Sequence, residues 1–395
     1  MKFDLFFSIC QTPVDGYTPS ERVMFQNFFS QVKLADALGY STAWVAETHL
    51  SCQVQKRNPQ AVIPHFEGEI GLNTDILQLA HIVFAKTKKI HMGSAIRNII
   101  CNGGPIAHAE AVKTFLNYHS MDSSEARRLE LGFAAGRFPF SNIPYGFTPR
   151  NEMEKAAWPV LKTKIFQEAT EIFLRLLRGD ILGSSEISPK LLSAKDFRTQ
   201  EDWQKVRSAH GEKVDEIRVP AFWKFNPVGV IPFDAPLDLL RLTIGAHDTE
   251  TQVLANQFYP VGVFNLSITP AAQIEKTHEI MKKAYHPKGG AWNRDLMPRT
   301  VLVFLEDSEW KAKEKAKKAL ETYWRAIEGT LDPQKIANAV DNALVGTTES
   351  ITEQLKSRFH QEDRLMLWFD FNNHDTNDVE RAMHSFMEKV APEFA

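Results

Sequence analysis

Short, continuously apolar runs alternate along this chain with longer stretches whose apolar positions recur every three or four residues. The first pattern belongs to buried strands and the second to amphipathic helices. FDLFFSI at 3–9 opens as a strand, and Phe25, Phe28, Phe29, Val32 and Ala35 then share one face of a helix over 20–38. Ser20 supplies its start and Gly39 its stop. The same reading gives strands at 42–46, 90–96, 129–134, 237–244, 261–266, 299–305 and 365–371. Helices are predicted at 74–85, 105–118, 151–178, 249–257, 270–284, 308–328 and 348–359, and a final one carries Val379, Met383, Phe386 and Val390 on one face. Strands alternating with helices predict a parallel sheet. Eight such units with near-continuous apolar strands predict an α/β fold closed into a (β/α)8 TIM barrel.

One interval breaks the rhythm. Residues 179–236 carry mixed charge, several prolines and only short apolar runs. An insertion of this length between strands four and five reads as a lid or an extra substructure rather than an idle loop. No change of composition marks a linker, so 1–395 is predicted as one barrel domain that contains this insertion.

Composition narrows the function. The chain has 395 residues, a net charge of −3 and 24% charged residues. It lacks the basic excess of a nucleic-acid binder or of a protein drawn to anionic membrane. No apolar run approaches the roughly 18 residues of a membrane span, and the N-terminus lacks the pattern of a secretory signal. Three scattered cysteines, Cys10, Cys52 and Cys101, fit a reducing compartment, so a cytoplasmic location is expected. The 27 phenylalanines fill a core and leave some to line an apolar pocket.

In such barrels the chemistry sits on loops that follow the strands. After strand two come Glu47 and His49, a spacing that can supply a general acid and base. The alternative is a structural cap and a satisfied loop histidine. After strand four, GFAAGRFPFSN offers glycines and a single strong cation, Arg137, suited to an anion or a planar ligand. The alternative is a surface ion pair. After strand five, GAHDTET offers Asp248, Thr249 and Thr251 at a helix start, where free N–H groups favour phosphate. Ordinary capping by Asp248 explains the same residues. Metal-ligand spacings, P-loops and nucleophile-elbow motifs are absent, and no metal is expected.

Several segments resemble luciferase-like flavin monooxygenases. ADALGYSTAWVAETHL at 35–50 is similar to that family's helix, glycine, strand and Glu-His-His segment. IHMGSAI, GGPIAHAEAVKTF, RLELGFAAGRF, LVGTTESITEQL and the terminal VAPEF follow in the family's order. The resemblance implies reduced FMN at the C-terminal mouth of the barrel, supplied by a separate flavin reductase. Dioxygen would add to it as a C4a-peroxyflavin that oxygenates a small hydrophobic substrate. It implies a non-proline cis peptide in strand three, at Ser94-Ala95, beneath the flavin ring. It also implies a homodimer through the first helices, where Phe25, Phe28 and Phe29 serve either the interface or the core.

Departures from the family pattern bear on the chemistry. Thr48 stands where relatives carry the first His of Glu-His-His, which leaves His49 as the acid/base candidate. Ala135 stands where relatives carry a phosphate-binding Arg, with Arg137 two residues on. The chain lacks GxGxxG, so no NAD(P)H reductase site of its own is expected. Two other readings stay open: hydride transfer with the deazaflavin F420 on the same barrel, and a non-catalytic subunit of an active relative.

Overall fold

The computed structural model describes residues 1–51, 68–69, 71–136, 139–212, 214–246, 248–327 and 333–395. Its strands are β1 (Lys2–Phe7), β2 (Thr42–Val45), β3 (His91–Asn98), β4 (Leu129–Ala134), β5 (Lys190–Ser193), β6 (Glu216–Val219), β7 (Leu240–Ile244), β8 (Val261–Val263), β9 (Arg299–Leu305), β10 (Leu344–Gly346) and β11 (Arg364–Trp368). The helices are α1 (Glu21–Leu38), α2 (Ile76–Lys86), α3 (Gly104–His119), α4 (Pro139–Asn142), α5 (Glu152–Leu177), α6 (Gln200–His210), α7 (Thr249–Phe258), α8 (Ala271–Ala284), α9 (Glu309–Ile327), α10 (Pro333–Asn342), α11 (Thr348–Arg358) and α12 (Thr376–Lys389). Among the described residues, no helix is long and apolar enough to cross a membrane.

Nine strands form one parallel sheet in the order β10-β9-β11-β1-β2-β3-β4-β7-β8. The sheet curls until its flanks meet. Asn265, just past β8, donates its N–H to the Pro298 carbonyl at 2.9 Å and accepts from the Thr300 N–H at 3.0 Å. This isolated bridge to Arg299 lies beside the first half of β9, and β10 pairs with its second half. The sequence predicts eight strands and misses β10, because three residues are too few for a legible apolar run. The predicted strand at 237–244 starts late, since Leu237–Leu239 is a 3₁₀ turn after Pro236.

Local signals set the ends of α1. The Ser20 hydroxyl accepts the Val23 N–H, and Gly39 closes the helix with φ 88°. Of its phenylalanines, Phe28 is buried against Phe7, their rings 5.2 Å apart, while Phe25 and Phe29 pack half-buried on the same core. Between α5 and β7 the chain forms the antiparallel ribbon β5–β6 with α6 beside it. This ribbon docks on α5, where Lys190 pairs with the buried Glu168.

Side chains from alternate strand positions fill the inside of the curl. At its N-terminal end, the fully buried Arg364 guanidinium donates to Asp4 at 2.6 Å, to Glu130 at 3.1 Å and to Thr42 at 2.8 Å. Trp44 adds an indole N–H to Asp4 at 2.7 Å. Buried charge is tolerated there because the guanidinium is paired with two carboxylates and each of its three nitrogens donates a hydrogen bond. Above it, Phe6, Trp44 and Met366 from three strands and Phe264 just past β8 close the interior with an apolar plug.

Candidate functional site

The plug is the floor of an opening at the C-terminal ends of the strands. Ala46, Ala95, Ile96, Leu266 and Trp368 pack on its upper side, and each is half-exposed where the plug residues are buried. Ala134 and Gly245 are half-exposed at the same level on β4 and just past β7. One flank of the rim is low at Ala46, Ala95, Ala134 and Gly245, with the Ile96 side chain lying over Gly245. The other is high, built from Leu266 and Trp368. A depression with a flat, small-residue side admits a planar ligand.

β3 deforms at this rim. Its register with β4 shifts between Ser94 and Arg97, and the peptide between Ala95 and Ile96 is cis. The cis bond expected at Ser94-Ala95 thus lies one residue further on. Ser94 pairs in register with Val45 and Leu131, whose side chains belong to the outer core, so its buried hydroxyl faces away from the opening. Ala95 faces the opening, and Ser94 reaches it only through the backbone.

Glu47 and His49 are joined by a hydrogen bond of 3.1 Å. Asn102 Nδ2 donates to His49 Nδ1 at 3.0 Å, so Nδ1 is the bare nitrogen and Nε2 carries the proton given to Glu47. The Glu47 side chain has no solvent exposure. Its second oxygen accepts the Ile76 N–H at the start of α2 at 2.8 Å and the Arg97 guanidinium at 3.2 Å. Arg97 also reaches Asp75 at 3.2 Å and donates through Nε to His108 Nδ1 at 3.0 Å. His108 donates through Nε2–H to the Cys101 carbonyl, and burial beside Arg97 pushes its pKa down to about 4. Burial and the Glu47 charge push the Cys101 thiol up to about 12, so it is no nucleophile at neutral pH.

Arg97, His108 and Asn102 escape a sequence reading. Arg97 directly follows a predicted apolar strand, and an unexplained charge in such a place is the only signal it gives. Asn102 holds φ 51°, which no motif announces.

The other predicted residues do not join this network. Asp248 caps α7, its carboxylate accepting the Thr251 N–H at 2.8 Å. The buried Thr251 hydroxyl accepts from Gln167 on α5 at 3.1 Å. Thr249 lines a cleft shared with Lys164 and Lys190 between α5, α7 and the β5–β6 ribbon. Arg137 lies outside the described residues. The turn before it is held by Asn98, which donates to Asn142 at 2.6 Å, and by Asn142, which donates to the Ala135 carbonyl at 3.0 Å. Among the described residues, no group of three or more His, Cys, Asp or Glu is placed to hold a metal ion.

Comparison with known proteins bears on the family and on the fold. No curated protein matches the sequence. Among solved structures, the monooxygenase RslO1 from Streptomyces bottropensis is 17% identical, with a TM-score of 0.70 over 100% of both chains. The oxygenating constituent of 3,6-diketocamphane monooxygenase from the CAM plasmid of Pseudomonas putida, in complex with FMN, is 14% identical with a TM-score of 0.61, over 100% of this chain and 98% of that one. An F420-dependent secondary alcohol dehydrogenase, in complex with an F420–acetone adduct, is 13% identical with a TM-score of 0.58, over 99% of this chain and 98% of that one. At these identities the likeness speaks for the fold. The model of the luciferase-like monooxygenases matches residues 1–363, and the chain belongs to that family.

Proposed function

We propose that this protein is an FMN-dependent monooxygenase that uses reduced flavin and dioxygen to oxygenate a small hydrophobic molecule at the mouth of a closed (β/α)8 barrel. The observation that carries the proposal is the rim of Ala46, Ala95, Ala134 and Gly245, half-exposed over a buried aromatic plug. A tricyclic ring needs a flat apolar bed of this kind, and larger side chains at these positions would fill it. The flavin supplies the oxygen chemistry when bound. This chain's part is to bind and orient it, to exclude water and to manage protons. Ala95 and the backbone of Ser94 would lie under the ring. Arg137 and the start of α7 at Asp248, Thr249 and Thr251 are the proposed phosphate contacts.

His49 is the proposed acid/base residue. Its Nε2 proton is shared with Glu47, and Asn102 fixes the ring's orientation. Glu47 is a positioning residue, since its oxygens are already held by Ile76, Arg97 and His49.

The reduced flavin is proposed to come from a separate reductase, and the working unit to be a cytoplasmic homodimer. The 179–236 segment, with its ribbon and α6, is proposed as a lid over one side of the mouth. A second reading keeps the barrel and exchanges the cofactor for F420, as in the alcohol dehydrogenase neighbour. Equilibrium titration with FMN and with F420, followed by turnover under labelled dioxygen, separates the two. Label in the product supports oxygenation. Reduction of F420 without label, or failure to bind FMN in either redox state, overturns it.

A further inference from the structure

α9 does not pack as an outer helix of the barrel. Leu302 on β9 pairs in register with Trp368 on β11, so the two share the inner face of the sheet. Strand alternation sends Phe304 inward as well, one step nearer the rim. Ala316, Ala319 and Leu320 of α9 are buried in one cluster with Leu302, Phe304 and Phe371. A helix seated on inward-pointing residues crosses the top of the opening, on the side of its high wall.

Polar contacts along α9 agree with that course. Near its start, Glu309 accepts the Thr347 N–H at the end of β10 at 3.1 Å. In its middle, Lys315 donates to Glu306 at 2.8 Å and pairs with Asp378, and Lys318 pairs with Asp15 in the loop after β1. Asn372, in the loop after β11, donates to the Ala319 carbonyl at 2.9 Å.

Between α9 and these two loops lies a cavity of about 470 Å³. That is the size of a small-molecule site. Phe304, Phe369 and Phe371 form its floor, with Val14 and Ala319 beside them. The Phe371 ring is 4.8 Å from that of Trp368, which is half-exposed on the rim. Phe371 thus borders the cavity and touches the wall of the mouth. The charged residues around the cavity are committed. Lys315, Lys318, Asp15 and Asp378 are paired as above, and Asp375 accepts the N–H groups of Asn377 and Asp378 at the start of α12.

We propose that this cavity receives the alkyl tail of the substrate, whose reacting end lies over Ala95 while its chain runs along Trp368 and past Phe371 under α9. This rests on the monooxygenase reading of the mouth and names the shape of its substrate: an elongated molecule, oxygenated at one end and uncharged at the other. Methylenes laid on the aromatic floor gain affinity without any directed contact. A charged tail would lose its water there and meet only ions already paired.

The test is a series of 1-alkanols from hexanol to dodecanol, bound to the full chain with and without FMN and read by calorimetry. Affinity is expected to rise about fourfold per methylene as far as decanol. Thr322 lines the cavity and is half-exposed, so Thr322→Phe fills the space without entering the core. Ala319→Leu fills it from the next turn of the same helix. Each variant should bind decanol about tenfold more weakly than wild type, the worth of roughly two methylenes, and bind hexanol and FMN as before. Affinity that stops rising at hexanol in the wild type overturns the inference. So does decanol binding left unchanged in both variants, or lowered no more than that of hexanol. Failure of FMN to bind the wild-type chain instead removes the monooxygenase reading, and the alkanol series without FMN reads the cavity by itself.

Discussion

Asn102 donates to Nδ1 of His49 at 3.0 Å, and this one contact decides which imidazole nitrogen holds the proton. The other nitrogen then serves Glu47. His49→Ala is expected to lower turnover by about 10²- to 10⁴-fold, the range of a single acid/base group. FMN affinity and melting temperature should change little. Asn102→Ala should show a smaller loss of kcat with an altered pH profile, since the imidazole stays but its tautomer is freed. Single-turnover kinetics on both variants checks this, and unchanged rates would remove His49 from the chemistry.

Glu47 supports structure as well as His49. It caps α2 through the Ile76 N–H and neutralises Arg97, whose side chain is 6% exposed. Glu47→Gln leaves that guanidinium with Asp75 alone as an acid partner. A loss of about 3 kcal/mol of stability is expected, toward the low end for a broken buried pair. Urea denaturation measures it. A midpoint equal to wild type would mean that the ion pair contributes nothing.

The barrel floor gives a stronger effect. Arg364 is the shared partner of Asp4 and Glu130, both fully buried, and it holds the Glu130 carboxyl below its usual range against the burial that raises it. Arg364→Met removes the one cation hydrogen-bonded to both carboxylates, leaving Asp4 the Trp44 N–H and Glu130 the more distant Arg128 and Arg241, each at 3.9 Å. The expected cost is roughly 3–5 kcal/mol. A melting temperature within a few degrees of wild type would contradict it.

Much of this arrangement was legible in the sequence. The strands at 129–134 and 299–305 match β4 and β9 in both bounds, because buried parallel strands are written as near-continuous apolar runs. α1 was readable from Ser20 and Gly39. Long-range pairing was not. Arg364 meets Asp4 across nearly the whole chain, and no local pattern ties an arginine near the end to an aspartate near the beginning. The same holds for Arg97 with His108, whose link depends on α3 folding back along β3. The cis bond lies one residue from its expected place, within the register shift between Ser94 and Arg97, and sequence spacing announces neither.

That register shift makes a further prediction. Ile96 intrudes on the interior where Gly132 and Gly245 make room. A Cβ on Gly132 would lie 2.3 Å from the Ser94 carbonyl oxygen, and one on Gly245 would lie 2.5 Å from Ile96 Cδ1. The first clash is with backbone and cannot be relieved by a rotamer. Gly132→Ala should therefore cost about 1–3 kcal/mol and disturb the rim. Gly245→Ala meets the end of the flexible Ile96 side chain and, less closely, the Ala134 Cβ at 3.3 Å, and should cost less. Paired thermal melts decide the order, and the reverse order would show that β3 yields more readily than Ile96.

Asp370 ties the rim to stability through pH. In the unfolded chain its carboxyl titrates near ~3.9. Burial in the folded protein pushes it up to about 7. Between these values the unfolded chain has lost a proton that the folded protein keeps, so folding is penalised progressively as pH rises. The stabilising influence of the bound proton is complete below the unfolded value and gone once pH passes the folded one. Asp370→Asn removes the titration. Relative to wild type, the variant should gain stability as pH rises from 4 to 8, by up to about 4 kcal/mol for a three-unit shift. At pH 4 the gap should nearly close, because the folded proteins then both carry an uncharged side chain at that position and only about half of the unfolded wild-type carboxyls have ionised. Melting curves at pH 4, 6 and 8 measure the gap, and one that stays constant across them would place the Asp370 carboxyl in water rather than in the wall of the barrel.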